Sequence, residues 1–227
     1  MVDYAGAIKK PLSDMQTLGI STVIGAIPIV NILIWFFAVE NAKRVLNKNA
    51  SLPSWNADVI FSNIVPALKM LVVGIIYMIP GLVVVGIGLV PIIGGIIAGI
   101  TSGDTSTLLA GLAAGGIIAL VGVLLMLIGA VLSSMGTYMT LKTGSIGAGF
   151  NIGAILKKVF TATYWISLIV YFVYAIVIGI AAGIITGILF VIPVLGFFLG
   201  LLVSGLAMYL TSITCTTIIA SVFNETP

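Results

Sequence analysis

Four segments of this sequence are longer than 20 residues and almost free of charged side chains, and they constrain the fold more than any other feature. They span residues 69–90, 107–132, 164–186 and 194–217. A helix needs about 20 apolar residues to cross the hydrocarbon core of a bilayer. Only 7% of the 227 residues are charged, whereas a soluble domain carries about 25%. The sequence therefore predicts an all-α integral membrane protein that forms a single polytopic domain.

The distribution of the nine Lys and Arg residues predicts the orientation of the chain in the membrane. They lie before residue 17, between 40 and 69, and between 142 and 158, and none lies in the segment 101–106 or beside Pro193. Basic residues are enriched on the cytoplasmic side of membrane segments. We therefore predict a multi-pass protein of the cell membrane with both termini in the cytoplasm.

A short pattern, in which aliphatic residues surround a proline and Asn or Gly follows, occurs three times. The copies are GAIPIVNIL at 25–33, GLVPIIGGI at 88–96 and FVIPVLGFF at 190–198. Proline has no N–H and is accepted in the first turn of a helix, so it suits the start of a returning helix. We therefore predict three helical hairpins, and so about six membrane segments. The predicted turns contain Pro28 with Asn31, Pro91 with Gly94, and Pro193 with Gly196.

The apolar stretch 17–39 around Pro28 allows two interpretations. Either it crosses the membrane once, or it forms a shallow re-entrant hairpin with arms at about 12–27 and 29–47. The second interpretation fits three pseudo-repeats, each with a basic amphipathic segment, an outgoing helix, a proline turn and a returning helix. The pseudo-repeats cover about 1–50, 56–140 and 145–221. Chance similarity between apolar strings is the alternative explanation.

Two segments, 56–68 and 145–160, have the mixed composition of amphipathic helices that lie at the membrane surface. The second segment contains Lys157 and Lys158. Lysines at this position attract anionic lipid headgroups, so we expect both to contact lipid. Membrane lipids are thus the partners that the sequence predicts most directly.

The N-terminal third of the sequence carries a specific series of motifs. AIKKPLSD is followed by IPIVNILIWFFAVENAKRVLN and then by LPSWN. In this layout the chain resembles the uncharacterised prokaryotic membrane-protein family known as domain of unknown function 4013. The residues that carry the resemblance are Ile27, Pro28 and Asn31 in the turn, Lys43 and Arg44 at the helix end, and Leu52, Pro53 and Trp55 in the linker. The resemblance implies a polytopic membrane protein of archaea or bacteria, and it implies no activity.

The side-chain chemistry argues against catalysis. The sequence has no histidine, so the residue that most often serves as proton shuttle and metal ligand is missing. No charged residue lies well inside a predicted span, whereas proton and ion pathways usually need one. We therefore expect no enzyme activity, no cofactor or metal, and no nucleic-acid partner.

Three functions remain open. The first, which we favour, is a scaffold or partner-binding subunit that associates with itself or with other membrane proteins, because small residues spaced by four let helices approach closely. Such spacings occur at Gly95 and Gly99, at Gly111 and Gly115, at Gly179, Gly183 and Gly187, and at Gly196 and Gly200. The second is a passive small-solute transporter or pore with a polar path through Asn31, Ser204, Thr211 and Cys215. The third is a lipid-binding or membrane-shaping protein, suggested by the interfacial helices and the short first hairpin.

Overall fold

The computed structural model describes residues 2–226, and every regular element in that range is helical. The α-helices in chain order are α1 (Tyr4–Lys9), α2 (Met15–Ala26), α3 (Ile32–Leu46), α4 (Ala57–Ser102), α5 (Thr105–Thr143), α6 (Ile152–Val159), α7 (Ala162–Leu189) and α8 (Leu195–Glu225). Short 3₁₀ turns follow α1 at Lys10–Leu12 and precede α6 at Gly147–Phe150. The predicted all-α class is confirmed for this part of the chain.

Four of the helices are long and apolar enough to cross a membrane, namely α4, α5, α7 and α8. Their most apolar windows have mean hydropathy 2.6, 2.7, 2.7 and 1.8, and at most 28% of any window is buried inside the protein. By contrast, α2 and α3 have 12 and 15 residues, which gives lengths of about 18 and 22 Å at 1.5 Å per residue. The structure thus has four candidate spans and one short helical hairpin, and the predicted count of about six membrane segments is not confirmed.

The longest hairpin joins α4 to α5 and reverses at Gly103 and Asp104. Gly103 has a φ of +70°, a left-handed conformation that glycine adopts without steric cost. Asp104 then caps α5, because its Oδ1 accepts a hydrogen bond from the backbone N–H of Ser106 at 2.9 Å. The polar segment at 101–106 is therefore the turn of this hairpin.

The predicted turn at Pro91 and Gly94 is wrong, because both residues lie inside α4. A proline within a membrane helix removes one backbone hydrogen bond without reversing the chain, since neighbouring groups can satisfy the freed carbonyl. α4 also runs through Pro66 and Pro80. The chain reverses later, at Gly103 and Asp104, where a left-handed residue ends α4 and a cap begins α5.

Pro28 and Pro193 lie in the turns of the α2/α3 and α7/α8 hairpins. In both turns the residue after the proline is β-branched and has a positive φ, which is +73° for Ile29 and +61° for Val194. Each returning helix begins after the proline rather than with it, so the expected place of proline in the first helical turn does not hold. The left-handed conformation costs about 1–2 kcal/mol for a residue with a side chain, so both turns carry strain.

Asn31 and Gly196 follow these two prolines and differ in what they do. Asn31 is the N-cap residue of α3, but its side chain makes no capping hydrogen bond. Gly196 is buried in the first turn of α8, where an added Cβ would overlap the Leu189 carbonyl of α7. Gly196 therefore permits the close approach of α7 and α8 at their turn.

The larger core cluster lies at one end of the molecule, which we call the basal end, where α1, α6, the start of α7 and the C-terminal ends of α3, α5 and α8 meet. A smaller cluster around Ile34, Phe37 and Tyr209 joins α3 to α8. Buried side chains at this end include Leu46, Tyr138, Ile155, Tyr164 and Phe223. The turns after α4 and α7 lie at the opposite, apical end, and they contain no Lys or Arg. Between the two ends the long helices expose many large apolar side chains. Exposed apolar surface of this extent indicates contact with lipid or with other membrane helices.

The α2/α3 hairpin packs along α8. Gly25 of α2 meets Gly205 of α8 so closely that a Cβ on Gly25 would lie 2.8 Å from the Gly205 Cα. Phe37 of α3 stacks on Trp55 with ring centroids 4.5 Å apart and lies 6.2 Å from Tyr209. The hairpin therefore extends from the basal end to the level of Gly205, which is roughly one third of the way along α8 from its apical start.

The two segments expected to be interfacial helices differ in structure, because the first is the start of a long helix and the second contains a separate short one. Residues 56–68 are continuous with the span, because Asn56 caps α4 through a 2.7 Å hydrogen bond from the Val59 N–H and the helix then runs unbroken. Residues 145–160 form a 3₁₀ turn and α6, and Ile155 and Val159 of α6 are buried in the basal core. Only the second segment forms a separate short helix.

Candidate functional site

Glycines spaced seven residues apart hold the α4/α5 hairpin together. Gly81, Gly88 and Gly95 of α4 face α5. A Cβ on Gly88 would lie 2.6 Å from the Ala119 backbone nitrogen, and a Cβ on Gly95 would lie 2.6 Å from the Gly111 Cα. Real Cβ atoms do not approach backbone so closely, so these positions need glycine. This stripe is fully occupied by packing within the chain.

Glycines on α7 are spaced four residues apart, at Gly179, Gly183 and Gly187, and they have open space around them. A Cβ added at any of the three would meet nothing within 4 Å. They line a groove of about 490 Å³ between α7 and α8. The other residues of this α7/α8 groove are Ala182, Thr186, Phe190, Ser204 and Ala207. None of the most apolar window of α7 is buried inside the protein, so its surface is left for lipid or another helix.

The residues predicted to form a polar path have local roles in the structure. The hydroxyls of Ser204 and Thr211 donate to carbonyl oxygens four residues earlier in α8, at 3.0 and 2.7 Å. Cys215 lies against Tyr171, and Asn31 lies at the tip of the α2/α3 hairpin. Hydroxyls that bond back to their own helix are common in membrane helices. These hydroxyls are therefore engaged by α8 itself.

The two lysines expected to contact lipid headgroups occupy different environments. Lys157 is exposed on α6, whereas Lys158 is only 8% exposed. The Lys158 ammonium donates to the carbonyl oxygens of Phe223 and Thr226 at 3.0 and 2.8 Å and lies 4.3 Å from the Phe223 ring centroid. Burial, with a smaller contribution from the nearby Lys142, lowers the pKa of Lys158. Lys158 therefore stabilises the C-terminal end of α8, where the helix dipole favours a cation, and the prediction of a headgroup contact is wrong for it.

A pocket of about 640 Å³ opens at the basal end between the N-terminal segment, the end of α3 and the end of α8. Its lining residues are Asp3, Gly6, Ala7, Lys9, Lys10, Ser13, Val45, Lys48, Asn49, Ala50, Thr217, Ser221, Asn224 and Glu225. We call it the basal pocket. Sequence reasoning missed it because Lys10, Lys48 and Asn224 are far apart in the chain, and only the packing of α1 and α3 against α8 brings them together.

Lys10 is the most unusual residue of the basal pocket. Its ammonium nitrogen is buried and has no hydrogen-bond partner. Burial, and to a smaller extent the positive charge of Arg44, lowers the pKa of Lys10 to about 8. A buried ammonium without an acceptor is unfavourable. Within the described residues, the Lys10 ammonium therefore lacks a hydrogen-bond acceptor that would stabilise its charge.

Two fully buried asparagines connect α3 with α4 and α8 and were also missed. The Asn41 side-chain nitrogen donates to the hydroxyls of Thr216 and Thr217, both at 2.9 Å. The Asn63 side-chain nitrogen donates to Glu40 Oε2 at 3.0 Å. Polar side chains on otherwise apolar helix faces were the available signal. Their bonds fix the relative position of the three helices, whereas the side-chain oxygens of both asparagines are buried without a hydrogen-bond partner.

Within residues 2–226, no three His, Cys, Asp or Glu side chains come together as possible metal ligands. The observed features are four long apolar helices, one short hairpin and a polar basal end. They define the class of multi-pass α-helical membrane proteins. The match to the family described as "Protein of unknown function (DUF4013)" covers residues 19–191, which is more than half of the chain, so the chain belongs to this family. No curated protein and no solved structure matches the chain.

Proposed function

We propose that the protein is a self-associating membrane scaffold in which the α7/α8 groove receives α7 of a second copy. The observation that carries this proposal is the open space at Gly179, Gly183 and Gly187. Stripes of small residues spaced by four let two helix backbones approach closely in lipid. In α4 the glycines spaced by four, Gly95 and Gly99, pack against α5, whereas those of α7 are open.

A second copy is the chosen occupant because of symmetry. Two copies of a multi-pass protein share the same orientation in a membrane, so a twofold axis along the membrane normal brings identical faces together. A stripe of small residues without charge is complementary to itself under that operation. The groove residues include no charged side chain, so no like-charge repulsion opposes the contact.

Gly183→Ile tests the proposal, because the structure predicts that a single copy tolerates it. Nothing lies within 4 Å of a Cβ at Gly183, so the change fills the groove without disturbing the monomer. Ala181→Ile is the matched control, since Ala181 is exposed on the same helix and lies on another face. Donor- and acceptor-labelled copies in proteoliposomes, progressively diluted with lipid, report association through energy transfer.

We expect the parent chain and Ala181→Ile to show energy transfer that persists on dilution, and Gly183→Ile to need at least about tenfold more protein per lipid for the same signal. Each 1.4 kcal/mol lost at the interface corresponds to a factor of ten. Energy transfer at the random level for the parent chain, or an equal signal for both variants, would overturn the scaffold.

The scaffold proposal includes an orientation with the basal end in the cytoplasm of the cell. All of the Lys and Arg residues belong to segments that meet at the basal end or lead into it, and basic residues favour that side. A membrane-impermeant thiol reagent applied to intact cells is expected to label Ser102→Cys at the apical turn and not Lys9→Cys. External labelling of Lys9→Cys would reverse the orientation. The proposal assigns no catalytic activity.

A second candidate function, membrane shaping, is favoured by one observation on the α2/α3 hairpin. Its tip is apolar and exposed, with Ile29 at 88% exposure and Ile27 and Val30 also exposed. The hairpin reaches the level of Gly205 and does not extend along the rest of α8. A re-entrant apolar hairpin of this depth would occupy one leaflet more than the other. A fluorophore at Ile29→Cys should be quenched most strongly by nitroxides placed deep in the acyl chains, and quenching only by headgroup nitroxides would contradict insertion.

A further inference from the structure

The basal pocket combines an unpaired cation with the size of a small-molecule site. Its volume of about 640 Å³ falls within the range of about 300–1,000 Å³ typical of ligand pockets. Lys9, Lys10 and Lys48 line it from two different segments, the N-terminal helix region and the turn after α3. The pocket therefore has the charge and the room for an anionic small molecule.

The Lys10 ammonium gives the pocket a specific place for an anion. Its nitrogen has no acceptor and is out of contact with solvent, and the neighbouring Arg44 adds positive charge. Arg44 is itself engaged, because it donates to Glu40 Oε1 at 3.3 Å and to Ser51 Oγ at 3.1 Å. An anion bound at Lys10 would supply the missing acceptor, and charge-assisted hydrogen bonds of this kind are among the strongest in proteins.

The two carboxylates of the pocket restrict the chemistry of the ligand. Asp3 Oδ1 accepts a hydrogen bond from the Gly6 N–H at 2.8 Å, and Glu225 lies at the edge formed by the end of α8. A ligand that fills the pocket has to keep its negative charge near Lys10 and present neutral donors to Asp3. A phosphate ester whose organic part carries hydroxyl groups satisfies both requirements, since hydroxyls donate to carboxylates.

We propose that the basal pocket binds the phosphate group of a hydroxylated phosphate ester, with the phosphate on Lys10 and with Lys9 and Lys48 around it. The ester is either the headgroup of an anionic lipid or a soluble molecule, because both present the same chemistry at a basal end next to the membrane. This site is independent of α7, so it stands whether or not the protein self-associates.

The test uses the full chain with two probes. Glycerol 3-phosphate is titrated calorimetrically into the protein in an uncharged detergent, and separately the protein is placed in phosphatidylcholine nanodiscs with and without phosphatidylglycerol, whose anionic headgroup carries free hydroxyls. The thermal unfolding midpoint is measured in both settings, because a ligand that binds only the folded state raises it. Binding of glycerol 3-phosphate identifies a soluble ester, whereas a rise in the midpoint only with phosphatidylglycerol identifies a lipid headgroup. Either result supports the proposal.

Lys10→Met is the decisive variant and Lys157→Met its matched control. Both remove one positive charge, but Lys157 is exposed on α6 and lies outside the pocket. We expect Lys10→Met to bind the active probe at least about tenfold more weakly, as fits the loss of a hydrogen bond to a charged group, and Lys157→Met to bind like the parent. Without ligand, Lys10→Met should be as stable as the parent or more so, because it removes a buried unpaired charge. If it fails to fold, Lys48→Met at an exposed position replaces it with the same expectation.

The pH dependence of binding gives an independent signature. Because the pKa of Lys10 is about 8, affinity should fall as the pH rises from 7 to 9, when the ammonium loses its proton. The charged groups that face Lys10 are Asp3 and Lys9 from the N-terminal segment, Arg44 from α3, Lys48 from the following turn and Glu225 from α8. Lys10→Arg keeps all of them and stays protonated, so it should keep its affinity at pH 9. The proposal fails if neither probe binds, or if Lys10→Met and Lys157→Met weaken binding equally.

Discussion

The α4/α5 and α7/α8 hairpins are both rich in glycine, yet they use it in opposite ways. In α4/α5 one set of glycines, Gly81, Gly88 and Gly95, recurs every seven residues and meets the backbone of the partner helix. In α7 the glycines recur every four residues and meet nothing. A seven-residue period keeps one face of a helix turned toward a partner along a left-handed pair, whereas a four-residue period marks the surface for a right-handed close crossing. Spacing alone does not separate the two uses, because Gly95 and Gly99 are four residues apart and both pack against α5. The atoms around each glycine, rather than the number of glycines, separate packing within the chain from surface left open.

The largest expected effect comes from Gly88→Leu in α4. A Cβ at Gly88 would lie 2.6 Å from the Ala119 nitrogen, and backbone cannot move aside as a flexible side chain can. We expect a loss of stability of about 3 kcal/mol or more, at the upper end of overpacking effects, measured as a lower thermal aggregation midpoint in detergent. Gly86→Leu is the control, because nothing lies within 4 Å of a Cβ there. Equal midpoints for the two variants would show that the hairpin does not pack through its seven-residue stripe.

The second effect concerns the turn of the other hairpin, at Gly196 and Pro193. A Cβ at Gly196 would overlap the Leu189 carbonyl, so Gly196→Leu should cost about 2–3 kcal/mol through overpacking. Pro193→Ala should cost only about 1 kcal/mol, because proline acts there mainly by restricting the unfolded chain. The same thermal assay compares them. A leucine variant as stable as the parent would mean that α7 and α8 are not closely packed at their turn.

The long helices could be predicted from the sequence, whereas the turns between them could be predicted only in part. The hydropathy of 164–186 and 194–217 predicted α7 and α8 because apolar length alone determines a membrane helix. The pattern around Pro91 misled, since it matches the patterns at Pro28 and Pro193 but lies inside α4. Gly103 followed by Asp104 was visible in the sequence, and this pair forms the turn between α4 and α5. The seven-residue period of Gly81, Gly88 and Gly95 was equally visible in the sequence.

The basal end could not have been predicted in the same way. Lys10, Lys48 and Asn224 meet only after three helices have packed, and no local pattern records that contact. The burial of Lys158 was hidden for the same reason, because its acceptors Phe223 and Thr226 lie 65 and 68 residues later in the sequence. Membrane helices follow from local composition, whereas polar sites depend on which helix ends meet, and that depends on the whole fold.

A third prediction compares the basal ends of the α4/α5 and α7/α8 hairpins. At each of these ends a lysine ammonium donates a hydrogen bond to backbone carbonyl oxygens at the end of the second helix. Lys158 is buried and bonds two carbonyls at the end of α8. Lys69 bonds one carbonyl, that of Gly144 after α5, in an exposed setting at 2.6 Å. Lys158→Met should therefore cost about 1.5–3 kcal/mol, as for a hydrogen bond to a charged group that leaves buried acceptors unpaired. Lys69→Met should stay within about 0.5 kcal/mol of the parent, as for surface changes. Equal shifts in the thermal midpoint would mean that burial does not distinguish the two caps.

The smallest effect is a gain in stability, and it tests the strain in the two proline turns. Val194 and Ile29 have positive φ, which glycine adopts at no steric cost. Val194→Gly should stabilise the α7/α8 hairpin by about 1 kcal/mol, because the relief of about 1–2 kcal/mol of left-handed strain is partly offset by the greater freedom of glycine in the unfolded chain. Ile29→Gly should give a similar gain in detergent, where the exposed tip of α2/α3 loses little packing. The backbone hydrogen bond from the Leu195 N–H to the Pro193 carbonyl, at 2.7 Å, closes the tight turn around Val194. A lower thermal midpoint for Val194→Gly would mean that its side chain contributes more by contact at the apical end than its backbone loses by strain.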